Sequence, residues 1–269
     1  MSLRSTPWPA GTPCWAELAV ADLDAAVGFY EATLGWDFDP PSEALGGYRM
    51  ARRSGAPAAA VGADPRAGTK DRRPGHAEWT LYFSSDDIDY TAFAVTAAGG
   101  TLLLAPTPLG AAGRLMIASD PSGAPFGAWE AGDHIGAGVV NEPGGLAWED
   151  LRSSEPDRAR QFYKAVFGFQ TTSLEMSGPD YCVFSRPGED IPLGGMGATM
   201  SDPGGSHWLV YFGVADADTT AERVLDAGGA VHRAAFDTPF GRMVELSDPA
   251  GSVFMGVENT GQAQPDRSQ

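Results

Sequence analysis

The chain is poor in cysteine and histidine. Of its 269 residues only two are cysteine and four are histidine. Cys14 and Cys182 lie at non-equivalent points of the internal repeat described below, so no structural disulfide is predicted and a reducing cytoplasm is the simplest location. Four histidines leave few imidazole ligands for a transition metal.

Basic residues are also scarce, with 18 lysines and arginines against 35 acidic residues and a formal net charge of −17. Such a surface repels nucleic-acid phosphates and anionic lipid headgroups. No apolar run approaches the roughly 18 residues of a transmembrane helix, and the N-terminus lacks the apolar segment of a secretory signal. The sequence therefore predicts a cytoplasmic protein that binds neither nucleic acid nor membrane, and it favours a neutral or cationic small-molecule ligand.

The motifs of nucleophilic and nucleotide-binding enzymes are missing as well. Neither cysteine has a histidine at a recognisable spacing, and the chain contains no GxSxG elbow. The paired glycines at 99–100 and 228–229 follow helical patterns and lack the strand–GxGxxG–helix context of a phosphate loop.

What the sequence does contain is a long internal repeat. Residues 15–36, WAELAVADLDAAVGFYEATLGW, align without a gap with residues 148–169, WEDLRSSEPDRARQFYKAVFGF, at an offset of 133. Each copy reads as a strand of alternating apolar residues followed by an amphipathic helix that ends at Gly35 or Gly168. Asp22 or Asp24 is the expected N-cap of the first helix. A repeat of this length indicates a duplicated unit.

A second strand–helix unit follows in each half. Residues 78–100, EWTLYFSSDDIDYTAFAVTAAGG, match residues 207–229, HWLVYFGVADADTTAERVLDAGG, and each stretch is followed by a strand pair joined by SDPSG or SDPAG. The predicted organisation is an N-terminal arm (1–11), a first domain (12–131), a glycine-rich linker (132–144), a second domain (145–259) and a disordered tail (260–269).

This ordered set of motifs resembles the vicinal-oxygen-chelate superfamily, which includes glyoxalase I, extradiol dioxygenases and bleomycin resistance proteins. More narrowly, it is similar to two-domain, glyoxalase-like bacterial proteins described as hydroxylases. The resemblance implies an α+β fold with two tandem glyoxalase-like domains. Each domain would contain two βαβββ modules that form a cup-shaped, eight-stranded mixed sheet, with the helices outside the cup and the ligand inside.

The resemblance also implies where a divalent metal would bind. Members of the superfamily hold it with His, Gln or Glu at fixed strand positions, since imidazole and carboxylate groups suit such ions. In this chain the corresponding positions carry no His, Gln or Glu, and the prediction is that neither cup holds the family's metal. These positions are Trp15, Thr80 and Gly127 in the first half, and Trp148, Leu209 and Met255 in the second.

If the assumed strand register is shifted by two residues, the same strand face still points into the cup, and an alternative metal site results. It would place His207 and Asp150 together in the second cup, where they could hold one divalent metal for a glyoxalase- or dioxygenase-type reaction. The alternative is a purely structural role, with His207 an ordinary hydrogen-bonded residue of the cup wall.

The remaining cup residues suggest a site for an organic molecule. Trp15 and Trp148 would either stack against a planar ligand or simply fill a cup that has lost its metal. Methionines adapt to varied ligand shapes, although filling a core is their commoner task. The predicted ligand-contacting residues, besides these two tryptophans and His207, are Tyr82, Arg114, Met116, Tyr211, Arg242, Met243 and Met255.

Glu17 and Asp150 are acids on the predicted concave face, where burial is costly unless a partner satisfies the charge. Either Arg114 and Arg242 pair with them at the rim of the cup, or the acids act as general bases with raised pKa values. The leading hypothesis is a protein, monomeric or homodimeric, that binds a small aromatic or hydrophobic molecule without a metal or other cofactor. A metal-dependent lyase or oxidoreductase and a metal-free hydroxylase or isomerase are the alternatives.

Overall fold

A computed structural model describes residues 4–64, 79–174, 180–199 and 205–258. The predicted tail, 260–269, lies outside these ranges. The described residues form sixteen strands, four α-helices and two short 3-10 helices. The first half contains β1 (Pro13–Val20), α1 (Leu23–Leu34), β2 (Asp37–Phe38), β3 (Arg49–Arg53), β4 (Ala56–Ala63), β5 (Trp79–Ser84), α2 (Ile88–Ala97), β6 (Thr101–Pro108), β7 (Gly113–Ser119) and β8 (Pro125–Ala131).

The second half repeats this order. It contains β9 (Leu146–Ser153), α3 (Pro156–Phe167), β10 (Gln170–Ser173), β11 (Cys182–Ser185), β12 (Gly194–Ala198), β13 (His207–Val214), α4 (Ala217–Asp226), β14 (Ala230–Thr238), β15 (Gly241–Ser247) and β16 (Val253–Glu258).

Each half forms one eight-stranded mixed sheet. The strand order is β2-β3-β4-β1-β5-β8-β7-β6 in the first half and β10-β11-β12-β9-β13-β16-β15-β14 in the second. Both sheets are therefore two four-stranded modules joined through an antiparallel central pair, β1 with β5 and β9 with β13. The predicted α+β architecture of two tandem glyoxalase-like units is confirmed.

Local sequence determines where the helices begin and end. The Asp22 carboxylate accepts a hydrogen bond from the Ala25 amide at 3.0 Å and caps α1, while Asp24 lies in the first turn. Gly35 ends α1 with φ 65°, in the left-handed region where a side chain would be strained. Asp87 and Asp216 cap α2 and α4 in the same way as Asp22.

The helices lie on the side of each sheet away from the predicted cup, where the two halves share one aromatic core. Tyr30 on α1 contacts Trp79 of its own sheet at a centroid distance of 5.5 Å and Phe254 of the other sheet at 5.8 Å. Phe162 on α3 contacts Phe126 of the first sheet at 5.9 Å. Each sheet is therefore covered partly by a helix of the other half.

The sequence missed two features of the fold. The two-residue strand β2 pairs with β3 at the edge of the first sheet, and a segment of two residues gives no periodic signal. The predicted linker, 132–144, is also held by backbone hydrogen bonds, including Ala137 N–H to Cys14 O at 2.7 Å. No helix in the described ranges has the length and apolar character that a membrane crossing requires.

We expect Trp36→Ala to destabilise both halves together. The indole is fully buried, contacts Phe212 of the second half at 5.2 Å and donates a hydrogen bond to Gly144 O at 2.7 Å. Loss of a large buried aromatic side chain costs about 3–5 kcal/mol of unfolding free energy. Urea titrations followed by fluorescence and circular dichroism should shift as one transition. Phe93→Ala, at a side chain 68% exposed, should change little; a Trp36→Ala chain that unfolds in two separate steps would contradict a shared core.

Candidate functional site

The first cup is the face of the first sheet that carries Trp15 and Glu17. In the β1–β5 register, Trp15 lies opposite Tyr82 and Glu17 opposite Thr80. Tyr82 is in turn paired with Gly127 on β8. Because paired residues share a face, these side chains all lie on the side of the sheet away from the helices.

The second cup is the equivalent face of the second sheet. Trp148 lies opposite Tyr211, Asp150 lies opposite Leu209, and Tyr211 is also paired with Met255. The two predicted carboxylates and the two predicted tryptophans therefore occupy matching places in the two cups.

Asp150 is the centre of a hydrogen-bond network in the second cup. Its carboxylate is buried and accepts hydrogen bonds from the hydroxyls of Tyr181 and Tyr211, both at 2.7 Å. The Trp148 indole donates to it at 3.0 Å, and the Arg152 guanidinium at 2.7 Å. The network provides the compensating donors that a buried carboxylate requires.

Glu17 occupies the same place in the first cup, where the described residues supply far fewer partners. It is partly exposed, and among those residues its carboxyl accepts one long hydrogen bond, from the Tyr82 hydroxyl at 3.3 Å. Burial raises the pKa of Glu17 to about 7, and the Tyr82 hydrogen bond offsets part of that increase. Burial, with a contribution from the Glu17 charge, also raises the pKa of Tyr48.

The two sites differ at one neighbouring strand position. Tyr48 corresponds to Tyr181 and Glu17 to Asp150 at the repeat offset of 133, but Ala19 stands where the second half has Arg152. Glycine is needed beside the Tyr181–Asp150 pair, whereas a Cβ beside the Tyr48–Glu17 pair would make only ordinary contacts. A Cβ on Gly195 would lie 2.0 Å from the Tyr181 hydroxyl oxygen, and one on Gly62 would contact Tyr48 at 3.4 Å.

The second cup also contains a small apolar cluster separate from the main core. Its members share the cup face or its rim, and three of them are only partly buried. The buried residues are Ala147, Leu209, Tyr211, Met255 and Val257, and the partly buried ones are Trp148, Phe236 and Met243. We call these eight residues the second-cup cluster. The structure thus brings together four of the predicted ligand-contacting residues, Trp148, Tyr211, Met243 and Met255.

The predicted partnership of Arg114 and Arg242 with the cup carboxylates is wrong. Arg114 makes a bidentate ion pair with Asp89 on α2, at 2.9 and 3.0 Å. Arg242 pairs in the same way with Asp218 on α4. Both arginines lie on the helix side of their sheets, because the strands alternate and the neighbouring residues face the cup.

Met116 is also misplaced by the prediction. Ile117 pairs with Gly127, which shares the face of Tyr82, so Met116 points to the opposite side. There it is fully buried in the main core. The prediction failed because neighbouring residues of a strand face opposite sides, and the sequence did not reveal the register of β7.

The histidines have separate surroundings. His207 is opposite Arg152 on the cup face of β13, and its Nδ1 lies 3.0 Å from Gly205 O. His134, to which sequence reasoning assigned no role, contacts Trp15 edge-on at a centroid distance of 4.6 Å. Burial lowers the pKa of His134 to about 4, with a smaller contribution from Arg52.

The side chains at the superfamily's metal positions do not fit a divalent cation. Indole, methionine and glycine offer no suitable donor there, and the shifted alternative asks Asp150 to ligate while it accepts four hydrogen bonds, one of them from a guanidinium. Within the described parts of the chain, no three His, Cys, Asp or Glu side chains converge as a metal site would require.

Sequence reasoning missed Tyr48, Tyr181, Arg152 and Phe236. A signal existed for the first two, because Tyr48 and Tyr181 keep the repeat offset, as do Gly62 and Gly195. No such signal marks Arg152, since a difference between two copies gains meaning only when its neighbours are known.

We expect Glu17→Gln to change how stability depends on pH. The raised pKa of Glu17, about 7 against an ordinary value of 4.5, means that the unfolded chain ionises this group first. Its contribution to stability is therefore complete below about pH 4.5 and is lost as the pH rises through 7. Between pH 5 and 8 the free energy of unfolding of Glu17→Gln should rise by about 2 kcal/mol relative to that of the original chain. This value is smaller than the full pKa shift implies, because solvent screens a partly exposed group.

Urea titrations at several pH values measure this difference. Tyr82→Phe serves as the matched variant, because it removes the hydrogen bond that lowers the Glu17 pKa and should move the effect to higher pH. If the free energies of unfolding of Glu17→Gln and of the original chain change in parallel with pH, Glu17 does not titrate in this range.

Comparisons with known proteins agree with this fold. A sequence profile of the Glyoxalase/Bleomycin resistance protein/Dioxygenase superfamily matches residues 14–127 and 133–255. The protein named "Putative glyoxylase CFP32" from Mycobacterium bovis is 38% identical over 255 residues, covering 93% of this chain and 96% of that protein. The "Anthracycline biosynthesis protein DauV" of Streptomyces sp. strain C5 is 33% identical over 266 residues, covering 94% and 95%.

Among solved structures, the Mn(II)-bound glyoxalase from Novosphingobium aromaticivorans superposes with a TM-score of 0.65 at 18% identity, covering 93% of this chain and 82% of that one. At this identity the similarity concerns the fold. The profile match to both halves and the full-length relatives show that this chain belongs to the Glyoxalase/Bleomycin resistance protein/Dioxygenase superfamily.

Proposed function

We propose that the second cup binds a small, planar, largely apolar organic molecule, and that it does so without a metal. The observation that carries this proposal is the second-cup cluster, an apolar group outside the main core on the open face of a sheet. A partly exposed tryptophan, phenylalanine and methionine at one place offer a contact surface suited to a flat, apolar ligand.

Polar groups border this surface on one side. The Tyr211 ring belongs to the cluster, and its hydroxyl donates to Asp150. Burial and the Asp150 charge raise the pKa of Tyr211 well above its ordinary value, so the hydroxyl stays protonated. Ligand sites commonly combine an apolar wall with a few fixed polar groups that orient the ligand.

The names of relatives are compatible with such a ligand. One relative is named for anthracycline biosynthesis, and an anthracycline contains a planar fused-ring system. In this proposal the protein sequesters such a compound or holds it for a partner enzyme. It acts inside the cell, as a monomer or homodimer. If it also catalyses a reaction, Asp150 and Tyr211 are the groups nearest to the ligand.

We expect titration with neutral planar compounds, such as substituted anthraquinones and naphthoquinones, to quench tryptophan fluorescence in a saturable manner. Trp148→Ala should weaken binding by about tenfold, since loss of an aromatic contact and its area costs roughly 1.4 kcal/mol. Trp148→Phe keeps a ring and should retain most of the affinity. Arg242→Ala, which changes the helix side of the sheet, should bind normally.

The proposal fails if no compound of a broad planar panel binds, or if Trp148→Ala and Met243→Ala bind as tightly as the original chain. Circular dichroism of each variant separates loss of binding from loss of folding.

Metal analysis tests the metal-free part of the proposal. Protein purified without chelators should contain well under one equivalent of Zn, Mn, Fe or Ni, because the second-cup carboxylate is already bound by four donors. Binding of the planar compound should be unchanged after dialysis against EDTA. One equivalent of metal that disappears in His207→Ala would favour the metal-dependent lyase or oxidoreductase instead.

A further inference from the structure

The duplicated carboxylate sites allow one half of the chain to be used as a reference for the other. In the second cup, the acid is matched by a cation on its own strand, with 2.7 Å between Arg152 and Asp150. In the first cup, the same strand position is Ala19, and the described residues place no arginine or lysine in an ion pair with Glu17. Within the part of the chain that the structure describes, the first cup thus keeps the acid of the pair without a basic partner.

The surroundings of Glu17 would suit a cation from outside the chain. Ala19, Glu17, Tyr48 and Thr80 are all partly exposed. A Cβ built on Gly62 would lie 3.4 Å from the Tyr48 ring and 3.9 Å from Glu17 Oε1, which places the ring and the carboxyl side by side. Aromatic faces beside a carboxylate attract organic ammonium groups.

Two electrostatic arguments point the same way. A carboxyl group in an apolar cup is costly to ionise alone, and a cation within about 4–6 Å removes most of that cost. The formal charge of −17 also raises the local concentration of cations around the whole molecule.

We propose that the first cup binds an organic cation, a hydrophobic molecule carrying a protonated amine, whose ammonium group makes with Glu17 the ion pair that Arg152 makes with Asp150. This site is distinct from the planar-ligand site of the second cup. Residue 19 sets the specificity, because an arginine there would satisfy the carboxylate from within the chain.

A matched pair of probes tests the proposal directly. Calorimetric titration at pH 7 with naphthylmethylamine and with the neutral naphthylmethanol compares molecules of nearly equal size that differ in charge. We expect the amine to bind at least tenfold more tightly in the first cup. Glu17→Gln should abolish that preference and leave the affinity for the alcohol unchanged.

Exchange of residues between the two halves provides the sharper test. Ala19→Arg should remove amine binding by supplying the internal cation, while Asp150→Asn in the other half should not affect it. Arg152→Ala reproduces the first-cup arrangement in the second cup and should raise the amine stoichiometry from one to two. Circular dichroism confirms that each variant is folded.

Proton release on amine binding provides a further measurement. It would not be seen if Glu17 had only a structural role. The ion pair favours the carboxylate form of Glu17, so amine binding near pH 7 should release a fraction of a proton, measured as a dependence of binding heat on the buffer. The titratable groups around Glu17 in the described residues are the phenols of Tyr48 and Tyr82, with His134 in contact with Trp15. Glu17→Gln should eliminate the release.

The proposal is overturned if amine and alcohol bind alike, or if Ala19→Arg and Glu17→Gln leave the amine affinity unchanged. The planar-ligand proposal is unaffected by that result, because its titration depends on Trp148 in the other cup. Conversely, failure of the planar compounds to bind would leave the amine experiment valid.

Discussion

Side-chain alternation along β1 and β9 is the constraint on which both the core and the candidate sites depend. One set of residues, such as Leu18 and Leu151, is completely buried toward the helices. The other set, such as Glu17 and Asp150, faces the cup. A register shift of one residue would exchange these two sets, and the cost of burying the acids in the aromatic core excludes it.

The duplication separates what the fold requires from what a site requires. Both halves keep a carboxylate, two tyrosines and a glycine at matching positions, although the acid is glutamate in one and aspartate in the other. The halves differ in the neighbours that decide how the acid is satisfied. Arg152 completes a closed network in the second cup, whereas Glu17 keeps a raised pKa with one long hydrogen bond. The same scaffold thus holds one acid in a fixed ion pair and leaves the other able to titrate.

Much of the fold followed from local signals. The repeat, the helix caps and the SDPSG and SDPAG turns predicted two similar strand–helix units. The resemblance to the superfamily implied that each forms one sheet, and it gave the cup positions of Trp15, Glu17, Trp148 and Asp150. The errors concern registers on later strands and partners across the sheet. Met116 was placed on the wrong face by one residue, and Arg114 and Arg242 were assigned to the cup although Asp89 and Asp218 hold them on the helix side.

These errors have a common physical origin. An arginine carries a long flexible side chain, and its sequence neighbours do not reveal which of several carboxylates it will reach. The tyrosines that surround each cup acid come from β5 or β13 and from the segment that leads into β3 or β11, so their convergence depends on strand order. A single sequence contains little of that information.

The aromatic core shared by the two halves has a consequence for the evolution of the two sites. Phe212 contacts Trp36, and Phe83 contacts Tyr163 at 6.1 Å, so each half supplies part of the other half's interior. Cutting the chain between the halves would expose these rings to water unless the fragments reassociated. The two candidate sites, by contrast, lie on different sheets. A substitution in one site therefore falls on a different sheet from the other site. Each site can acquire a new ligand while the shared aromatic core is kept.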